Sequence, residues 1–212
     1  MSALYPAFID LTECAVLVVG GGAVAARKVA GLLDAGARVT VVAPEASLRL
    51  RKQAREKRIA LRLREFRPAD LDGAWMVIAA TDARAVNRRI ADEARRRRIL
   101  CNVVDDPALC TFQAPSVARR GKLQIAVSTG GASPSLARDI RRKLQRHYGV
   151  AYETFVDGLY DLRRHLQARY PRQPERRREV AESFLRSDAP AALLKGGEPK
   201  AFLSEVERWK SL

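Results

Sequence analysis

At 212 residues with 47% hydrophobic side chains, the chain is long enough for one large domain or two small ones, and apolar enough to argue against wholesale disorder. Its formal charge of +15 calls for an anionic partner: nucleic acid, an acidic membrane surface, or a small molecule bearing several carboxylates or phosphates. The opening "MSALYPAFID" is no basic-then-apolar leader, and no uncharged apolar run reaches about 18 residues, so a membrane span is not expected and the cytoplasm is the expected location.

"AVLVV" (15–19) is a short continuous apolar run, the pattern of a strand buried on both faces. It breaks into "GGG" and a helical stretch from Ala23 to Ala35, with apolar residues at Ala25, Val29, Leu32 and Leu33 and Gly36 as its C-cap. "RVTVVA" (38–43) predicts a second strand, followed by a charged helical segment to Arg58. "IALRLR" alternates with period two and suits a more exposed strand, whereas "WMVIAAT" (75–81) reads as buried. A helix carrying Val86, Ile90 and Ala94 follows, and "ILCNVV" (99–104) closes the series. Strands separated by helices predict an α/β fold, a Rossmann-type parallel sheet with right-handed crossovers, over residues 1–113.

The character changes after Pro107. "TFQAPSVARRGKLQIAVST" predicts two strands around an "RRGK" turn, with Phe112 and Ala114 set against Leu123, Ile125 and Val127. Ser133 and Pro134 form an N-cap and N1 pair opening a helix to about Arg146. This makes a small α+β section over 114–149. From Val150 onward only helices are expected, broken near Pro171–Pro174 and between Pro190 and Pro199, giving a helical C-terminal section over 150–212.

"VVGGGAVAARK" places Gly20-x-Gly22-x-x-Ala25 directly after a strand and before a helix. The first glycine suits a tight turn, the second lets backbone approach a pyrophosphate, and the small third residue lets helix pack on strand. The helix start adds free N–H groups and a partial positive charge, so a dinucleotide is the expected ligand. An acid about 20 residues beyond such glycines usually holds the ribose. Here the nearest is Glu45, late and after Pro44, with Arg49 and Arg51 close behind, so the residues leave NAD and NADP both open.

"CNVVDDP" (101–107) ends the last strand in two acids and a proline, which local chemistry reads as a turn. Yet open α/β sheets bind ligands at the C-terminal ends of their strands, where Asp105 stands. Asp106 suits a cap for the following turn. Cys14, Cys101 and Cys110 read as reduced thiols, and with only two histidines, His147 and His165, no protein metal ligands are expected. Arginine runs such as 95–98 and 176–178 read most simply as solvated helix faces.

Four blocks, "LVVGGGAVAARK", "AATD", "CNVVDDPALCTFQAPS" and "IAVSTGGASPSLARDIRRKL", in this order and at these distances, resemble the bacterial precorrin-2 dehydrogenases of siroheme biosynthesis, which include the N-terminal part of siroheme synthases. The resemblance is strong from about residue 4 to 148. It implies NAD-dependent oxidation of precorrin-2 to sirohydrochlorin, with insertion of Fe²⁺ as a further activity of some members, and a homodimer in which section 114–149 provides dimerisation contacts. Carried over, Gly20, Gly22, Ala23 and Val24 would hold NAD, and Pro44 and Glu45 would border its adenosine. Thr81 and Asp82 would lie beside the nicotinamide half, and Asp105 would be the catalytic aspartate. The substrate implied is a polyanionic tetrapyrrole. Its binding charges are sought at Arg119, Arg120, Lys122, Arg138, Arg141 and Arg142, and its further carboxylate contacts in the turn carrying Ser128, Thr129, Gly130 and Ser133. A second reading is an NAD(H)-binding redox-sensing regulator that holds nucleic acid on its basic surface. No helix-turn-helix or aromatic RNA-binding signature supports that reading.

Overall fold

The computed structural model describes residues 4–211. They form two compact units, the first ending at Ala114 and the second beginning at Pro115.

The first unit is a parallel five-stranded sheet built from β1 (Ala15–Val19), β2 (Arg38–Val42), β3 (Ala60–Arg62), β4 (Met76–Ala79) and β5 (Leu100–Val103). The strand order is β3-β2-β1-β4-β5, connected by helices α1 (Ala23–Asp34), α2 (Leu48–Arg55) and α3 (Arg84–Arg96). Alternate residues of β1 serve opposite faces. Val16 and Val18 pack with Ala25, Ala26, Val29 and Leu32 of α1 and Leu50 of α2, while Leu17 and Val19 pack with Ile90, Ala91 and Ala94 of α3. Both faces are therefore dry, which is why the central strands are continuous apolar runs. Helix α1 closes through bonds from Gly36 N to Leu33 O (3.0 Å) and from Ala37 N to Leu32 O (3.1 Å), the paired Schellman pattern. Because β2 flanks β1 on one side and β4 on the other, chain direction across the sheet reverses at β1/β4. A crevice opens there at the strands' C-terminal ends.

The edge strand β3 is short and polar. Beside it Asp70, 9% exposed, takes bonds from the Arg62 and Arg64 guanidinium groups and from Arg67 N (2.9 Å). These donors hold its carboxyl down at about 2 against the burial that opposes them, with the Arg64 hydrogen bond the largest cause.

In the second unit, β6 (Ser116–Arg120) and β7 (Leu123–Val127) form an antiparallel hairpin. Ser116, Ala118 and Arg120 stand opposite Val127, Ile125 and Leu123. Phe112 and Ala114 thus lie before the hairpin and not in it: Phe112 packs on the first unit's core, where its carbonyl accepts from Asn102 Nδ2 (3.1 Å). Helix α4 (Pro134–His147) begins at Ser133, whose hydroxyl accepts from Leu136 N (3.2 Å). Helices α5 (Ala151–Arg169), α6 (Pro174–Arg186), α7 (Asp188–Leu194) and α8 (Pro199–Ser211) enclose a separate core of Leu162, Leu166, Phe184, Leu193, Phe202 and Val206. The helices break between Pro190 and Pro199 as expected, with a further break at Ser187 that was not, and Pro190 itself does not make the break. It sits in the first turn of α7, where its missing N–H costs nothing, and the break falls after Leu194. No helix among the described residues is long and apolar enough to cross a membrane.

Candidate active site

The glycine loop is shaped by close backbone contacts. Gly20 has φ +128°, and a Cβ there would collide with the Ala80 carbonyl at the end of β4. A Cβ on Gly21 would strike the Glu45 carbonyl, and Ser47 N bonds Gly21 O (2.8 Å), so the segment after β2 lies against the loop. Pro44 and Glu45 are both exposed beside it. Gly22 differs: a Cβ there would meet nothing within 4 Å. It is the N-cap of α1, whose first turn has no side-chain cap and no acid. The first-turn N–H groups of Ala23 and Val24 thus have no capping side chain, a cradle fit for a pyrophosphate.

A cavity of roughly 530 Å³ opens beyond this loop, within the range of small-ligand sites. It is lined by Val24 of α1, by Thr81 and Asp82 after β4, by Arg84 and Asn87 of α3, and by Asp105 and Asp106 after β5. The structure thus brings together three of the acids and loops that the sequence pointed to, from three separate strands. Three carboxylates and one guanidinium give the cavity a net negative wall, a favourable setting for a cationic ring.

Asp105 is exposed and has φ +60°, a left-handed conformation that aspartate tolerates better than most residues. The conformation turns the chain out of β5, and the following segment folds back along that strand. Cys101 N bonds Thr111 Oγ1 (2.7 Å), Thr111 N bonds Cys101 O (2.8 Å), and Val103 N bonds Cys110 Sγ (3.2 Å). The Cys110 thiol also lies 3.3 Å from Asp106 O, which pins the turn from beneath. Burial pushes the thiols of Cys110 and Cys101 up, the latter to about 11, so both are packing groups and not nucleophiles. Asp106 occupies the N-cap of the next turn but makes no side-chain cap; its carboxylate instead faces Arg84 at 3.7 Å. Lys28, one turn beyond Val24 on α1, is depressed by burial and by Arg27, and the charges of Cys110 and Asp105 act on it in the opposite sense.

Chemistry-bearing residues that sequence reasoning passed over include Gly21, Lys28, Arg84 and Asn87. Asn87 had a legible signal. It stands with Ile90, Ala91 and Ala94 at i, i+3, i+4 and i+7 on the buried face of α3, so an amide interrupts an apolar stripe.

The expected substrate contacts lie in the second unit and divide by their partners. Arg120 bonds the Gln145 (2.8 Å) and Tyr148 (3.1 Å) carbonyls at the end of α4, and Lys122 pairs with Asp157 and covers the Tyr160 ring. Both are committed to structure and are not free binding charges. Arg141 bonds Gln145, Arg142 pairs with Asp139 (3.4 Å) and Arg119 meets Gln124 (3.3 Å). Arg138 is exposed. The Ser128–Ser133 turn is internally braced: Gly130 N bonds Ser128 Oγ (3.1 Å), and Ser133 N bonds Thr129 Oγ1 (3.0 Å).

Residues 7–116 match the family model described as "Putative NAD(P)-binding". The chain belongs to this NAD(P)-binding family. A second family model, for the sirohaem biosynthesis protein central region, matches residues 120–147. Among relatives, the chain is 42% identical to the siroheme synthase of Nitrosospira multiformis, across 96% of this chain and 43% of that one. It is also 42% identical to the siroheme synthase of Methylococcus capsulatus, across 90% of this chain and 40% of that one. The chain therefore spans less than half the length of these relatives. A solved structure of SirC, a precorrin-2 dehydrogenase, covers 97% of this chain and 100% of its own, with a TM-score of 0.79 and 29% identity.

Proposed function

We propose that the chain is a precorrin-2 dehydrogenase of siroheme biosynthesis, oxidising precorrin-2 to sirohydrochlorin with NAD⁺. The observation that carries this reading is a cavity that joins Val24 of the uncapped helix start to Asp105 at the mouth of β5. In this reading Gly20 and Gly22, with the N–H groups of Ala23 and Val24, hold the pyrophosphate, and Pro44 and Glu45 border the adenosine. Thr81 and Asp82 line the nicotinamide side. NAD⁺ supplies the hydride acceptor when bound.

Dehydrogenation removes a hydride and a proton, and Asp105 is the base assigned to the proton. Its carboxylate is open to solvent on one side of the cavity, so the proton can leave to water after transfer. Arg84 draws on Asp106, which leaves Asp105 without an ion pair among the described residues. Within the second unit we assign carboxylate binding to Arg138, Arg141 and the turn carrying Ser128, Thr129, Gly130 and Ser133. Fe²⁺ is a candidate second substrate, since insertion requires a base to take two pyrrole protons. We also assign a homodimer and a cytoplasmic location, the latter in keeping with three cysteines that remain free thiols.

The test is an anaerobic assay of the chain with precorrin-2 and NAD⁺, followed by absorbance, with Fe²⁺ added in a second stage. Growth of the more conjugated chromophore together with NADH is expected. No spectral change over hours with either NAD⁺ or NADP⁺ would overturn the reading.

A further inference from the structure

Asn87 is only 7% exposed, yet it belongs to the wall of the cavity. Its Nδ2 donates to the Thr81 main-chain carbonyl (2.8 Å), and its Oδ1 accepts from the Thr81 hydroxyl (2.7 Å). This pair of bonds has one consistent orientation. A carbonyl oxygen can only accept, so the amide nitrogen must face it, and the amide oxygen must then face the hydroxyl. The hydroxyl's single proton is directed to Asn87 Oδ1, with the Ala83 carbonyl (3.3 Å) as a further, longer acceptor. What Thr81 Oγ1 has left is acceptor capacity alone, and Thr81 lines the cavity.

We infer that Asn87 is a positioning residue that fixes Thr81 as a one-way acceptor, and that this acceptor selects a cofactor ring carrying an N–H donor, namely the carboxamide of nicotinamide. The inference rests on the dinucleotide reading above and adds a specificity element to it. Neighbouring groups sharpen the selection. Asp82, Asp105 and Asp106 also line the cavity and add acceptors, so the wall favours a ligand that offers N–H donors. Asn87 is itself held in place, because α3 buries it beside Ile90 and Ala91 and its main-chain N–H bonds the Ala83 carbonyl (3.1 Å).

The experiment measures dissociation constants by calorimetry on the full chain for three ligands: NAD⁺, its 3-acetylpyridine analogue and ADP-ribose. The analogue keeps the ring carbonyl but replaces the amide NH₂ with a methyl group, and ADP-ribose has no ring. The native chain is expected to favour NAD⁺ over the analogue about tenfold, the worth of one hydrogen bond in a partly dry site. In Thr81→Val the acceptor is gone while the shape is kept. In Asn87→Ala the hydroxyl loses its short bond and keeps only the 3.3 Å contact to the Ala83 carbonyl, so it can turn and donate into the cavity. Both variants should bring the preference close to one, with ADP-ribose affinity unchanged. Retention of the native preference in Thr81→Val overturns the inference, even where Asn87→Ala fails to fold. A parallel loss of ADP-ribose and NAD⁺ affinity also overturns it, since that marks a structural role only. If the native chain binds neither ADP-ribose nor NAD⁺, the dinucleotide reading falls and this inference falls with it.

Discussion

At the scale of single residues, the three consecutive glycines do different work, and substitutions separate them. Gly20→Ala puts a Cβ into the Ala80 carbonyl at a φ of +128°, so it should destabilise the first unit by roughly 2–4 kcal/mol in urea unfolding. Gly22→Asp meets open space, so it should melt near the native temperature. It should nevertheless lose NAD⁺ binding in calorimetry, because a carboxylate would stand where a pyrophosphate approaches the helix start. Asp105 calls for an equally careful variant. Alanine would both remove the carboxylate and disfavour the left-handed turn, whereas Asp105→Asn keeps a residue that tolerates φ +60°. Asp105→Asn is therefore expected to bind NAD⁺ normally and to slow dehydrogenation by about 10²–10⁴. Turnover at the native rate would remove the base assignment.

At the scale of elements, β3 and the turn beside it hold a charge cluster whose effect on stability has a definite sign. Asp70 titrates at about 2 in the fold against an ordinary 3.8, so its pairing stabilises the folded state above about pH 4. That contribution, on the order of 2 kcal/mol, is lost as pH falls from about 4 to about 2. Asp70→Asn should lower the melting temperature at pH 7 and flatten the acid limb of the melting-temperature curve between those values. Elements also show what the sequence made legible. The central strands of the sheet announced themselves as continuous apolar runs because both of their faces are dry. The hairpin was misread at Phe112, because alternation along 112–118 carries on past the point where the chain leaves the first unit. What decides that point is a bond to Asn102, ten residues away, which no local pattern contains. The crevice and its Asp105 were legible from strand ends. The brace of Cys110 and Thr111, and the partners that occupy Arg120 and Lys122, were not, because each is a long-range pairing.

At the scale of the whole molecule, a formal charge of +15 predicts electrostatic capture of a substrate with many carboxylates. Apparent affinity for the tetrapyrrole should fall steadily between 50 and 500 mM salt, roughly values that bracket a Debye length of 10 Å, with kcat much less affected. A salt-independent KM would assign the charge to solvation alone. Self-association has its own test: sedimentation should give twice the mass of one chain.

The return of residues 110–112 along β5 bears on that association. The outward N–H groups of Cys101 and Val103 are already taken by Thr111 and Cys110, and their carbonyls are met from the same segment. At the opposite edge β3 is three residues long, ends in Arg62 and is followed closely by Arg64. The β5 border is thus filled and the β3 border is short and charged, two features that disfavour recruitment of a sixth strand to the first unit. The β6–β7 ribbon is two strands wide, so each of its strands has one side that the hairpin partner does not fill.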